Sequence, residues 1–81
     1  MGLEKENEVM KVYVLIHHDR HADDDIQVYA QKSEAVEEAK RRAREFDRFN
    51  ELIEKEHFFI YYGIYSCEGD HVRVEEKEFH P

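Results

Sequence analysis

Residues 9–18 read VMKVYVLIHH, a stretch rich in β-branched and apolar side chains. Val12, Val14 and Ile16 alternate along it with other side chains, including Tyr13. A period of two residues is that of a β-strand, whose successive side chains point to opposite faces of a sheet. The stretch therefore predicts a first strand with one aliphatic face and one face that contains Tyr13. The rest of the fold can be built outward from this strand.

Three further strands are predicted from the same kind of pattern. Residues 26–30 (IQVYA) alternate in the same way and follow the first strand closely enough to form a hairpin with it. Residues 58–67 (FFIYYGIYSC) and residues 71–79 (HVRVEEKEF) predict a second hairpin, joined by the turn-forming sequence EGD. The chain is therefore expected to contain two hairpins.

The segment between the hairpins has the apolar spacing of an amphipathic helix. Ser33 is the predicted N-cap, because acidic residues follow it where negative charge suits the helix dipole. The apolar stripe consists of Ala35, Val36, Ala39, Ala43, Phe46, Phe49 and Ile53. It predicts one helix of about 20 residues. The predicted fold class is α+β, a two-layer sandwich of order ββαββ with one long helix on one face of a four-stranded, mostly antiparallel sheet.

A chain of 81 residues is long enough for one domain with a thin core. Residues 1–8 are charged and lack periodicity, so they predict a flexible acidic tail before a single domain at residues 9–81. The single Cys67 excludes an intrachain disulfide and favours a reducing, cytoplasmic location. No apolar run approaches the roughly 20 residues that span a bilayer, so no membrane partner is expected.

The chain is acidic, with 20 acidic and 12 basic residues and a net charge of -8. This balance disfavours binding to nucleic acid, which requires clustered Lys and Arg side chains. The plainest interpretation of the charge is solubility. A second interpretation is that the protein is an acidic inhibitor, which mimics nucleic acid and blocks a basic groove.

Strand alternation divides the side chains of the predicted sheet into two sets. The aliphatic set, expected beneath the helix, contains Val12, Val14, Ile16, Ile26, Val28, Ile60, Ile64, Val72 and Val74. The other set contains Tyr13, Leu15, Tyr29, Phe59, Tyr61 and Tyr65. One helix covers only one face of a sheet, so the tyrosine-rich set is expected to be exposed. Tyrosine suits surfaces that are buried on binding, and this face predicts a homodimer or a contact with another protein.

The connection at residues 17–25 (HHDRHADDD) is dense in histidine and aspartate. If the first strand extends to His21, then His17, Asp19 and His21 project from one side of it. Two imidazoles and a carboxylate could hold a divalent metal such as Zn²⁺ or Mn²⁺. The structural alternative is a solvated loop, in which aspartate side chains stabilise turns and Arg20 pairs with them.

No motif in the sequence specifies a reaction, so whether the protein is an enzyme is left open and a non-enzymatic role is favoured. The leading hypothesis is a small binding module, homodimeric, that engages a protein through the tyrosine-rich face or the loop at residues 17–25. One alternative is a metal-binding protein or metal-dependent hydrolase that uses His17, Asp19 and His21. The other alternative is the acidic inhibitor.

Overall fold

The computed structural model describes residues 10–56 and 59–79. Within these ranges the elements are β1 (Met10–His18), β2 (Asp25–Tyr29), α1 (Lys32–Glu45), β3 (Ile53–Lys55), β4 (Tyr61–Ile64) and β5 (His71–Phe79). The predicted acidic tail at residues 1–8 lies outside the described residues, as does Phe58, where the third strand was predicted to begin. The α+β class with one helix is confirmed.

The strands form one antiparallel sheet in the order β2-β1-β5-β4-β3. Both predicted hairpin pairings are present, β1 with β2 and β4 with β5. β1 and β5 pair along their whole length, from Met10 opposite Phe79 to His18 opposite His71, and so form the centre of the sheet. A strand is present in each of the four predicted regions, and Ile53–Lys55 adds a fifth strand at the edge beside β4, so the order is ββαβββ in place of the predicted ββαββ.

The helix is shorter than predicted, with 14 residues in place of about 20. Its last turn closes with the bond from the Phe46 N–H to the Arg42 carbonyl oxygen (2.9 Å), and the Phe46 ring then packs against His17. Asn50 has a left-handed backbone (φ 57°), which asparagine tolerates better than most residues. The chain thus turns away from the helical path, and Ile53 pairs with Ile64 in the sheet.

The helix also begins differently from the prediction. Gln31 is the N-cap residue, and its side chain makes no capping hydrogen bond to the described residues. Ser33 lies inside the helix and is not the N-cap. The helix is therefore held by its packing on the sheet rather than by a capping side chain. Ala35, Ala39 and Ala43 form its buried face, and all three are fully buried.

The core lies between α1 and the sheet. It consists of Leu15, Ala35, Ala39, Ala43, Tyr61, Tyr65, Val72 and Val74. The helix therefore covers the side of the sheet that carries most of the tyrosines. The prediction that the tyrosine-rich face is exposed is wrong. The register explains the reversal, because Leu15 lies opposite Val74 and directly opposite residues share a face. Alanine side chains on the helix leave space that large rings fill, and Tyr61 is the largest fully buried side chain of the described residues.

Gly63 of β4 lies beside Ala43 of the helix and the Tyr61 ring. A Cβ atom at this position would lie 2.5 Å from the Tyr61 hydroxyl oxygen and 3.0 Å from the Ala43 Cβ. Both distances are shorter than ordinary van der Waals contact, so either the helix or the Tyr61 ring would have to move. The glycine in β4 therefore sets how closely the helix packs.

We expect Gly63→Ala to lower the free energy of unfolding by about 1–3 kcal/mol, the usual cost of overpacking a core. Urea titration followed by circular dichroism measures this change. Tyr61→Phe removes the hydroxyl that the new methyl group would meet, so Gly63→Ala should cost less in a Tyr61→Phe background than in the unmodified protein. Equal costs in the two backgrounds would show that the Tyr61 hydroxyl does not limit the space at Gly63, contrary to the prediction.

Candidate functional site

The sheet face opposite the helix is the first candidate surface and is called the open face. The register places these apolar side chains on it: Met10, Val12, Val14, Ile16, Ile26, Val28, Ile53, Tyr62, Ile64 and Phe79. No element of residues 10–56 or 59–79 packs over them. An uncovered face was predicted from the single helix, but its side chains are mainly the aliphatic set rather than the tyrosines.

A row of charged side chains on β5 crosses the centre of the open face. Glu75 accepts a hydrogen bond from Arg73 Nε (2.7 Å) and forms an ion pair with Lys77 Nζ (3.0 Å). These contacts lower the pKa of the Glu75 carboxyl, with the bond from Arg73 as the largest cause. At the end of the row, the His71 ring stacks on the Tyr62 ring at 4.8 Å. The row alternates in charge and lies between two apolar strips.

The tyrosines predicted to bind a partner lie mainly in the core. Tyr61 and Tyr65 are buried, and Tyr13 and Tyr29 are partly buried against the core cluster. Phe59 differs, because its ring stacks on Tyr62 at 5.1 Å, beside the open face. The structure thus leaves Phe59 near an exposed surface and places the four tyrosines beneath or beside the helix.

The second candidate surface is a cleft on the helix side of the sheet, with a volume of about 780 Å³. Its walls come from the β1–β2 connection, the segment that follows α1 and the β4–β5 turn. His17, Asp19 and His21 of the predicted loop all line it, and so does the exposed Cys67, which lies in the turn rather than in a strand as predicted. A cleft of this size is within the range that holds small ligands.

A hydrogen-bonded chain of three side chains forms the floor of the cleft. The Tyr65 hydroxyl donates to Asp19 Oδ2 (2.7 Å), so it accepts from His17 Nε2 (3.0 Å), which places the imidazole proton on Nε2. Burial, followed by the nearby charge of Arg42, lowers the pKa of His17. The bond from Tyr65 lowers the pKa of Asp19, while burial raises the pKa of Tyr65. Near neutral pH the chain therefore contains a neutral imidazole, a protonated phenol and a carboxylate.

The three predicted metal ligands are only partly brought together. His17 and Asp19 are linked through Tyr65, but the ring of His21 accepts a hydrogen bond from Arg20 Nε (3.1 Å). β1 ends at His18, so strand alternation no longer sets the direction of His21. Among the described residues, no group of three or more His, Cys, Asp or Glu side chains is arranged to hold a metal ion.

The connection at residues 17–25 has several features of the alternative prediction, a solvated loop in which aspartate side chains stabilise turns. The backbone N–H of His21 donates to Asp19 Oδ1 (2.9 Å), and the backbone N–H of Ala22 donates to the Asp19 carbonyl oxygen (3.0 Å). Arg20 forms an ion pair with Glu68 of the β4–β5 turn. Asp19 therefore stabilises a turn and also accepts the bond from Tyr65, so the loop is held in place from both sides.

Sequence reasoning missed Asp70, which lines the cleft although it lies in the β4–β5 turn. Its side chain is only 5% exposed, and Oδ1 accepts a hydrogen bond from the backbone N–H of Arg20 (2.9 Å). The only sequence signal was the turn-forming segment EGD, which predicts an exposed position. Phe46 and Phe49 also line the cleft, whereas the sequence predicted them on the helical stripe.

Comparison with known protein families, curated proteins and solved structures gives no match to this chain. Within the described residues, no helix has the length and apolar character that crossing a membrane requires. The chain is an α+β domain with two candidate surfaces, and its function must be argued from them.

The lowered pKa of His17 predicts how stability depends on pH. In the unfolded chain His17 titrates near its ordinary value of 6.5, whereas the folded protein holds it neutral to lower pH. The unfolded state then binds more protons below pH 6.5, so the free energy of unfolding should fall as the pH is lowered from 7 towards 5. His71 has a pKa shifted in the same direction and adds to the effect.

Thermal unfolding at several pH values between 7 and 5 measures this slope. His17→Gln should make the slope shallower, leaving the part due to His71. Phe49→Leu is the matched control, because it changes an exposed side chain of the same cleft without removing an imidazole, and it should leave the slope unchanged. A slope that is identical in His17→Gln and the unmodified protein would contradict the prediction.

Proposed function

We propose that this protein is a small interaction module that forms a homodimer through its open face. The observation that supports this proposal is the exposure of large apolar side chains on that face. Met10, Ile26, Val28, Ile53 and Phe79 are each between 52% and 64% exposed. Contiguous apolar patches on a soluble domain are usually binding surfaces, because their exposure to water is unfavourable.

The area of the open face is comparable to that of one side of a protein interface. β1 and β5 each have nine residues, which corresponds to a length of about 30 Å. β2, β3 and β4 are shorter, with five, three and four residues, so the five strands at the usual rise and spacing give a flat area of roughly 500 Å² before side-chain relief is added. A standard protein interface buries about 800 Å² on each partner. A second sheet packed face to face could therefore cover most of this surface.

The charged row on β5 favours a second copy of the same chain as that partner. Consider a two-fold axis that lies in the plane of the interface, perpendicular to the strands and near Val74. It would place Arg73 of one copy opposite Glu75 of the other, and Glu75 opposite Arg73. The same operation sets Val28 of one copy opposite Ile26 of the other. The part of the face formed by β1, β2 and the centre of β5 is thus complementary to itself in charge and in apolar character, as an isologous interface requires.

Sedimentation equilibrium over a range of protein concentrations tests the proposal. The unmodified protein should be dimeric, and Val28→Asp should weaken dimerisation at least about tenfold, because it places a charge within an apolar interface. Val28 is exposed, so this variant should remain folded. The matched control is Phe49→Asp, which adds the same charge at an exposed aromatic residue of the cleft.

Two results would contradict the proposal. One is an unmodified protein that stays monomeric at the highest concentrations. The other is a Val28→Asp variant with native circular dichroism that dimerises as tightly as the unmodified protein. If Phe49→Asp abolishes the dimer as completely as Val28→Asp does, the effect is not specific to the open face, and the proposal also fails.

A further inference from the structure

The cleft has an aromatic wall that is formed by residues from two parts of the chain. Tyr65 directly follows β4, and the centre of its ring lies 5.7 Å from the centre of the Phe46 ring. Phe46 also meets the edge of the His17 ring at 4.7 Å, so it is fixed on two sides. Phe49 lines the same cleft but is 79% exposed. Phe49 and the aromatic wall therefore provide surfaces in one cleft against which a flat ligand could stack.

A buried carboxylate lies in the same cleft. Asp70 is only 5% exposed, and its Oδ1 accepts the hydrogen bond from the Arg20 backbone N–H. Oδ2 makes no hydrogen bond to a side chain or backbone group of the described residues. No buried side-chain nitrogen or oxygen of those residues lacks a partner, and Asp70 lines the cleft. A hydrogen bond to a carboxylate at a largely buried position is stronger than the same bond in water, so Asp70 suits a ligand that donates to it.

The charge of the cleft favours a cation. Six carboxylate side chains line it, against two guanidinium groups, those of Arg20 and Arg48. Arg20 is already paired with Glu68, and Asp25 is paired with Arg42. The lowered pKa values of Asp19 and Asp25 keep both of these carboxylates ionised. The lining therefore has an excess of negative charge near neutral pH, and an anionic ligand would be repelled.

We propose that the cleft binds a guanidinium cation, with Asp70 as its carboxylate partner and Phe46 and Phe49 as the rings against which it stacks. A guanidinium group is planar, donates parallel hydrogen bonds to a carboxylate and stacks on aromatic rings. The site has both kinds of partner, and its carboxylates are not grouped as metal ligands among the described residues. The cation belongs either to an arginine side chain of a peptide or to a free small molecule. This site is separate from the open face.

The test is a titration with L-argininamide at low salt, followed through the backbone amide resonances of the ¹⁵N-labelled protein. Binding should shift the amide of Arg20, whose N–H donates to Asp70. L-lysinamide has the same charge without the planar group, and it should bind at least about tenfold more weakly. The peptide amide Gly-Arg-Gly-NH₂, which has the same two cationic groups as argininamide and no carboxylate, distinguishes the two sources. Tighter binding of the peptide assigns an arginine within a polypeptide, and equal or weaker binding assigns a free cation.

Two variants localise the site. Asp70→Asn should weaken argininamide binding tenfold or more, whereas Glu76→Gln, which removes the same charge from an exposed position on β5, should not. Phe49→Ala provides a second measurement that does not depend on a buried residue, and it should weaken binding several-fold while the protein stays folded. Equal affinities for Asp70→Asn and Glu76→Gln would overturn the proposal. So would equal binding of argininamide and lysinamide, an unchanged affinity in Phe49→Ala, or no shift at millimolar ligand.

Discussion

The stripe of alanines on α1 is the constraint on which the rest of the structure depends. Methyl side chains at Ala35, Ala39 and Ala43 let the helix lie close to the sheet but provide little volume of their own. Protein interiors are close-packed, so the sheet must provide the missing volume, and its tyrosine-bearing side does so. Gly63 leaves room for the helix beside Ala43. Once the rings are turned inward, strand alternation forces the aliphatic side chains outward, and this produces the open face.

Burying tyrosines also requires partners for their hydroxyl groups. Tyr61 donates to Glu54 of β3 (2.8 Å), and Tyr65 donates to Asp19 of the β1–β2 connection (2.7 Å). The first bond ties the core to the short edge strand that the sequence did not predict. The second ties the core to the loop that borders the cleft. The packing of the helix on the tyrosine side thus accounts for the fifth strand, the position of the loop and the exposed aliphatic surface together.

Local patterns predicted the parts of the fold that local physics decides. The alternation in residues 9–18 and in β5 marked the central strands, and both hairpin pairings followed from chain order. The covered face depends on the long-range register that sets Leu15 opposite Val74, and no local period contains that information. The prediction of where the helix ends was wrong for a related reason. Ile53 continues the helical stripe, but it is used instead to pair with Ile64 and satisfy the backbone of β4.

The sequence identified some of the residues that line the cleft but not how they are arranged in space. His17 and Asp19 were selected by residue type, yet the group that joins them is Tyr65, 46 residues from Asp19 along the chain. Asp70 lies in a turn, where sequence reasoning expects exposure, but it is buried and accepts a hydrogen bond from the Arg20 backbone. The cleft lies on the helix side of the sheet, so a dimer formed through the open face would leave both clefts accessible. Such a dimer would present two equivalent cation sites and would bind a ligand with two guanidinium groups more tightly than either site alone, provided that the ligand spans the distance between them.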